Sequence, residues 1–260
     1  MEKQKIREFW NQQALKYGYS VKAVNFDPLE EDLEFYFLES LIPTKVKLLD
    51  FGCGNGRTLF FLAQKRPRAL FVGVDFSKNM INLARQNNCF ENIDFFMGDV
   101  LSKSTIENLR KRYKSFDYIL TKRLLINLHG ISKKKKALEN IWSLLKQGGT
   151  YIMIECFLEP LERINEIRLK LDLPIIKVKK FNEYLKEDFL LEIEVFFKIK
   201  KVLDFESNYY FISRIFNAYL SQGEPDYFAE INKLAVTLTK MGITFAKDYG
   251  PEKILILEKK

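Results

Sequence analysis

Between residues 45 and 156 the chain alternates short apolar runs with stretches of helical periodicity. Lys45–Phe51, Ala69–Asp75, Asn92–Met97 and Phe116–Thr121 each have the length and β-branched or aromatic bias of a strand. Helical patterns fill the gaps at Arg57–Lys65, after Ser77 to about Asn88, and at Thr105–Tyr113. The clearest helix follows Ser132, which can cap it: Leu138, Ile141, Leu144 and Leu145 share one face, and Gly148 and Gly149 end it before the strand "TYIMIEC". Five strands alternating with helices predict βαβ units and a parallel sheet. Right-handed crossovers make that sheet doubly wound, with ligands at the carboxyl ends of its strands. Helices are predicted upstream at Lys5–Tyr17 and Glu30–Leu41, the second stopped by Ile42-Pro43.

After Cys156 the rhythm changes. Phe157–Phe189 reads as largely helical with a break at Pro174. A strand near Glu194–Phe205, helices over Tyr209–Leu220 and Asp226–Met241, and a last strand in "KILILEK" follow. The predicted fold is therefore α/β: a doubly wound, mostly parallel, seven-stranded sheet with helices on both faces and a helical cap. One domain spans 1–260, with N-terminal helices in 1–44, a core in 45–156, cap insertions in 157–192 and 208–245, and the last strand at 253–259.

Composition narrows the setting. With 260 residues, 47% of them hydrophobic, the chain can bury a full core. Met1–Trp10 lacks the apolar stretch of a signal peptide, and no apolar run approaches the ~18 residues of a membrane helix. Cys53, Cys89, Cys156 and the lone His129 have no metal-ligand spacing, so no metal site and a reduced, cytoplasmic setting are expected. A net charge of +8 invites a nucleic-acid reading. However, the basic residues are dispersed except for Lys133–Lys136, which open a helix whose other face is apolar.

The stretch "LLDFGCGNGR" carries the chemistry. Gly52, Gly54 and Gly56 are spaced G-x-G-x-G, and Arg57 stands where a dinucleotide fingerprint has its last glycine. Asp50 would sit awkwardly beside a pyrophosphate but suits an ammonium group, and the following helix start suits a carboxylate. Together they fit the methionine end of S-adenosylmethionine better than a dinucleotide. Asp75, ending the second strand, can accept both ribose hydroxyl protons, and Asp99 after the third can accept from an adenine amino group.

On "VKLLDFGCGNGR", "FVGVDFSKNMINLAR", "FFMGDV" and "ALENIWSLLKQGGTYIMIE", residues 45–156 resemble the class I S-adenosylmethionine-dependent methyltransferases, which have a Rossmann-like fold. The resemblance implies that Gly52, Gly54, Asp75 and Asp99 bind cofactor, with Phe76, Met97 and Val100 near the adenine. It also implies a backbone contribution from Thr121 near the cofactor's amino acid and an N-terminal segment, around Tyr17 and Gly18, that folds over it. S-adenosylhomocysteine would be the product. "LTKRLLINL", "ERINEIRLKLDLP" and "FNEYL" are similar to a bacterial subgroup linked to capsule and lipopolysaccharide biosynthesis.

For the acceptor, the expectation is a small, polar, anionic molecule methylated at oxygen: a sugar, nucleotide-sugar or phosphorylated glycan intermediate. A hydroxyl acceptor needs a base, whereas an ionised one does not. His129 and Glu155, near the ends of strands four and five, are the candidate catalytic residues. Arg123, Asn165, Arg168, Tyr209, Tyr210 and Arg214 are the candidate acceptor-binding residues, the arginines for an anion and the tyrosines for stacking. Arg123 could instead pair with Glu155. An RNA methyltransferase and a non-catalytic nucleotide-binding protein remain the alternatives. The first is disfavoured because no Asn-Pro-Pro-aromatic stretch follows strand four.

Overall fold

The computed structural model describes residues 2–25, 27–222 and 226–260. Two helices lead in, α1 (Glu2–Tyr17) and α2 (Pro28–Leu41). Asp27 caps α2 by accepting from the Leu29 and Glu30 N–H groups, and Pro28 occupies the first turn, where no N–H is needed. The core then runs β1 (Lys47–Phe51), α3 (Arg57–Lys65), β2 (Leu70–Asp75), α4 (Lys78–Asn87), β3 (Ile93–Met97), α5 (Lys103–Tyr113), β4 (Phe116–Lys122), α6 (Ile131–Leu144) and β5 (Leu145–Cys156).

β1 to β5 are parallel. β6 (Phe197–Leu203) and β7 (Glu252–Lys259) complete a seven-stranded sheet of order β3-β2-β1-β4-β5-β7-β6, with β7 antiparallel to both neighbours. The order reverses at β1 and β4, so a crevice opens between their carboxyl ends. Alternate residues of each strand serve opposite faces: Leu49, Phe51, Val72 and Val74 join one core with α5 and α6, and Leu48, Phe71, Leu120 and Ile152 join another with α2, α3 and α4. Among the described residues no helix is long and apolar enough to cross a membrane.

The cap differs from the expected helices. α7 (Leu158–Lys170) and α8 (Leu190–Glu194) form, but most of residues 171–186 are irregular, with a bridge from Leu185 to Phe157. Pro174 stops the helix, and the loop's backbone bonds to side chains instead: Asn165 pairs with both backbone groups of Ile176. Further on, α9 (Ser207–Phe211) passes into a π-helical turn at Ile212–Asn217 and then α10 (Ala218–Leu220), before α11 (Glu230–Lys240). Residues 223–225 of the expected cap segment lie outside the described residues. Gly148 and Gly149 lie within β5, because α6 ends at Leu144.

Candidate active site

A cavity of about 380 Å³ lies across the carboxyl ends of β1, β2, β4 and β5, and the start of β7 meets it there because that strand is antiparallel. One end lies over β1 to β3. There Gly52, Gly54 and Gly56 all have positive φ, which turns the chain sharply out of β1. Gly56 could carry no side chain: a Cβ would lie 2.9 Å from the Phe95 ring. Arg57 is explained by its partners. Its guanidinium bonds Glu31 of α2 at 2.9 and 2.5 Å and stacks on Tyr19, tying the loop to the N-terminal helices.

The acids expected at this end are there. Asp75 is buried, accepts from Gly54 N–H at 3.0 Å and Ser77 N–H at 2.8 Å, and each of its oxygens keeps a further lone pair. Burial pushes it up to about 6, against those backbone donors. Asp50 is 2% exposed and its Oδ1 has no hydrogen-bond partner. Burial pushes it up to about 7, with Lys122 opposing and Asp75 adding. Asp99 accepts from Leu101 N–H at 2.8 Å and pairs with Lys3 of α1. Phe76 and Val100 line the same end. Thr121 places its backbone beside Phe51 in the sheet, while its hydroxyl meets the Tyr151 hydroxyl at 2.8 Å.

Two expected cofactor contacts are corrected. Met97 is 63% exposed and lies outside the cavity lining, because the last residue of β3 points its side chain away from the crevice. Tyr17 packs with Trp10, Val24 and Leu83 around Ala14 and Met80 and does not line the cavity. The N-terminal cover is instead built by Lys3, Phe9, Trp10, Gln13 and Val24. Asn11 fixes α1 to the start of α4 through Ser77 at 2.7 Å, and Trp10 donates to Asn127 at 3.2 Å. The polar periodicity of α1 hid these contacts, since its outward-looking residues face the crevice.

The other end lies over β5 and β7, beneath the cap. Here the expected anion-binding arginines already have acidic partners. Arg123 pairs with Glu34 and, at 2.5 Å, with Glu252, and Lys122 also pairs with Glu34. Although burial raises Glu34, Arg123 and Lys122 hold it down at about 2. Arg214 bonds Asp27 at 2.9 Å and lies 4.9 Å from the rings of both Tyr210 and Tyr227. Arg168 bonds the carbonyls of Pro174 and Arg214, and Asn165 holds Ile176; neither lines the cavity. Tyr209 is buried and donates to Asp27 at 2.7 Å, leaving Tyr210 as the wall residue. Arg123, Tyr210 and Arg214 line the cavity with the arginines' charges already matched by acids, whereas Arg168, Asn165 and Tyr209 lie outside its lining.

Glu155 is likewise corrected. It is fully buried and its carboxylate accepts from the N–H groups of Leu124 (2.8 Å), Leu125 (2.7 Å) and Ile126 (3.2 Å). Burial pushes it up to about 7, against those three donors. It anchors the loop after β4 and does not pair with Arg123. His129 does line the cavity; its Nε2 lies 3.0 Å from the Phe181 carbonyl and its Nδ1 4.0 Å from Glu183. A carbonyl only accepts, so Nε2 carries the proton and Nδ1 is the basic nitrogen. Of the Lys133–Lys136 run, Lys134, Lys135 and Lys136 pair with Glu183, Glu192 and Glu139.

Missed altogether were Glu206 and Glu252. Both are buried, both line the cavity, and in each the Oε2 accepts no hydrogen bond. Nothing in their local sequence marks them.

The family model described as a methyltransferase domain matches residues 43–224, well over half of the chain. A demethylmenaquinone methyltransferase of Roseiflexus castenholzii is 32% identical over 113 residues, 44% of each protein, and a carboxy-S-adenosyl-L-methionine synthase of Campylobacter curvus is 26% identical over 52% of this chain and 54% of its own. The chain thus spans about half the length of the curated relatives it matches. Similar folds include a SAM-dependent methyltransferase from Anabaena variabilis (TM-score 0.62, 16% identity, 99% of this chain and 95% of that one). The N-methyltransferase NodS of Bradyrhizobium japonicum, in complex with S-adenosyl-L-homocysteine, is also similar (TM-score 0.55, 12% identity, 97% and 98%). The residues present fit that family's cofactor: Asp50 offers a buried, unpartnered oxygen to an ammonium group, and Asp75 offers its remaining lone pairs to a ribose. The chain belongs to the S-adenosylmethionine-dependent methyltransferase family.

Proposed function

We propose that this protein methylates a hydroxyl oxygen of a small, polar acceptor enclosed beneath the cap. The observation that carries this reading is the single cavity joining the glycine loop to a walled chamber under the cap. Its volume, about 380 Å³, is of the size that suits small molecules. S-adenosylmethionine supplies a sulfonium-activated methyl carbon, which passes to an acceptor oxygen as the C–S electron pair returns to sulfur and the hydroxyl proton leaves.

The chain's own residues position and cover. Asp50 would hold the ammonium group, Asp75 the ribose and Asp99 the adenine amino group. Phe9 and Trp10 exclude water above them, which is worth several kcal/mol when reacting atoms are held in near contact. His129, held through Nε2 by the Phe181 carbonyl, is the cavity-wall residue that takes the hydroxyl proton, at the Nδ1 that also lies 4.0 Å from Glu183.

The anionic acceptor expected from Arg123, Arg168 and Arg214 is not part of this reading, because their charges are matched within the protein. A sugar hydroxyl of a surface-glycan precursor remains compatible with a polar chamber walled by tyrosines, and the sequence similarity around "LTKRLLINL" supports it. One curated relative is a tRNA N(3)-methylcytidine methyltransferase of Schizosaccharomyces pombe. The lysines that could have favoured RNA are, however, largely paired on the protein.

The test is methyl-labelled S-adenosylmethionine incubated with the enzyme and with small-metabolite, RNA and protein fractions of source cells. Label in small metabolites is expected. Label in RNA alone would overturn the reading.

A further inference from the structure

Beneath the cap, Glu206 is held by what surrounds it. Its Oε1 accepts from Glu252 N–H at 2.7 Å. Its side chain crosses Gly250 so closely that a Cβ there would lie 2.5 Å from the Glu206 Cγ, which fixes the carboxylate in place. Its Oε2 has no partner although the residue is wholly buried. Glu252 lies next door: its Oε1 goes to Arg123 at 2.5 Å, its carboxyl also shares a hydrogen bond with that of Glu34, and its Oε2 accepts nothing.

A buried carboxylate oxygen without a donor is costly, and the chamber relieves that cost either by protonation or by a bound donor. The local charge points to its sign. Among the described residues, Asp27, Glu30, Glu34, Glu206 and Glu252 gather around Lys122, Arg123, Lys179 and Arg214, and Glu206 faces two other acids of this group, Glu30 and Glu252. Each arginine and Lys122 is already bound to an acid other than Glu206. Burial together with the neighbouring Glu30 and Glu252 pushes Glu206 well up, so it takes up a proton when no cation is near. The aromatic faces of Tyr210 and Tyr184 line the same chamber and add attraction for a cation.

We propose that the acceptor carries a protonated amine that docks on the Oε2 atoms of Glu206 and Glu252, making it an amino-bearing polyol such as an amino sugar. The inference rests on the small-acceptor reading above and names its chemical class. The ammonium replaces the proton that Glu206 otherwise takes up and supplies a donor to the oxygens that lack one. Held as an ammonium, that nitrogen has no lone pair to attack the methyl group, so it is a handle and a hydroxyl elsewhere on the molecule reacts.

The test uses an acid-soluble metabolite extract of source cells, with methyl-labelled S-adenosylmethionine, before and after treatment with aqueous acetic anhydride. That reagent acetylates amines and leaves sugar hydroxyls free. The untreated extract is expected to give a labelled product retained by a cation exchanger, and acetylation to reduce labelling at least about tenfold, the loss of one good charged contact. Equal labelling after acetylation would overturn the amine handle and leave the small-acceptor reading standing. No label from the untreated extract would overturn both. In Glu206→Gln, which keeps the shape, the KM for that extract is expected to rise about tenfold or more with S-adenosylhomocysteine affinity within about twofold of wild type. A wild-type KM would overturn the proposal.

Discussion

The two ends of the cavity are built from different kinds of interaction. Over β1 to β3, Asp75 is held by the backbone N–H groups of Gly54 and Ser77, Asp99 by that of Leu101 and by Lys3, and Asp50 keeps an oxygen without a partner. Under the cap, Glu206 also accepts from a backbone N–H, but most charges are held by side chains: Glu34, Arg123, Glu252, Asp27 and Arg214 meet from elements far apart in the chain. Backbone-held groups keep their geometry under many substitutions around them. A side-chain network depends on every member, since removing one leaves a buried charge without its partner.

The largest effect that follows is on stability. Arg123→Ala should destabilise the fold by about 3–5 kcal/mol, because buried Glu252 loses its guanidinium partner and buried Glu34 keeps only Lys122. Chemical denaturation measures this, and a loss below about 1 kcal/mol would mean the network is not essential. The network also sets acid sensitivity. Glu34 is held at about 2, below its ordinary range, so its contribution is full above that range and disappears as pH falls toward 2.

At the other end, Asp75→Ala should weaken S-adenosylhomocysteine binding roughly 10- to 100-fold by calorimetry, through one or two lost hydrogen bonds to a charged group. Asp50 sharpens the contrast through pH. With its carboxyl pushed up to about 7, it ionises between about pH 6 and 8. A ligand ammonium prefers the ionised form, so S-adenosylhomocysteine affinity should rise through that window and proton release should accompany binding. Asp50→Asn should flatten the profile, and an unchanged profile would remove Asp50 from the ammonium site. The smallest effect belongs to Met97→Ala: exposed and outside the cavity, it should change cofactor affinity and stability by no more than about 0.5 kcal/mol.

The same contrast explains what could be read from the sequence. The alternating strands and the glycine loop are local patterns and form as predicted, and Asp50, Asp75 and Asp99, read from the same patterns, lie on the cavity wall. The cap residues are another matter. Arg123, Arg168 and Arg214 looked like anion binders because a sequence displays a charge but not its partner. The partners lie 89 residues away for Arg123 with Glu34 and 187 for Arg214 with Asp27. Glu155 misled for a related reason: its position at the end of β5 suits a base, but the three N–H groups it accepts from belong to a loop around 30 residues earlier. Glu206 gave no signal, because being without a donor is a property of the folded chamber alone.

The most direct test titrates S-adenosylhomocysteine by calorimetry into wild type, Asp75→Ala and Glu206→Gln side by side. If the cavity has two separately built ends, Asp75→Ala loses affinity while Glu206→Gln binds as wild type does. Equal losses in both variants would show that the ends form one site and would contradict the division argued from their hydrogen bonds.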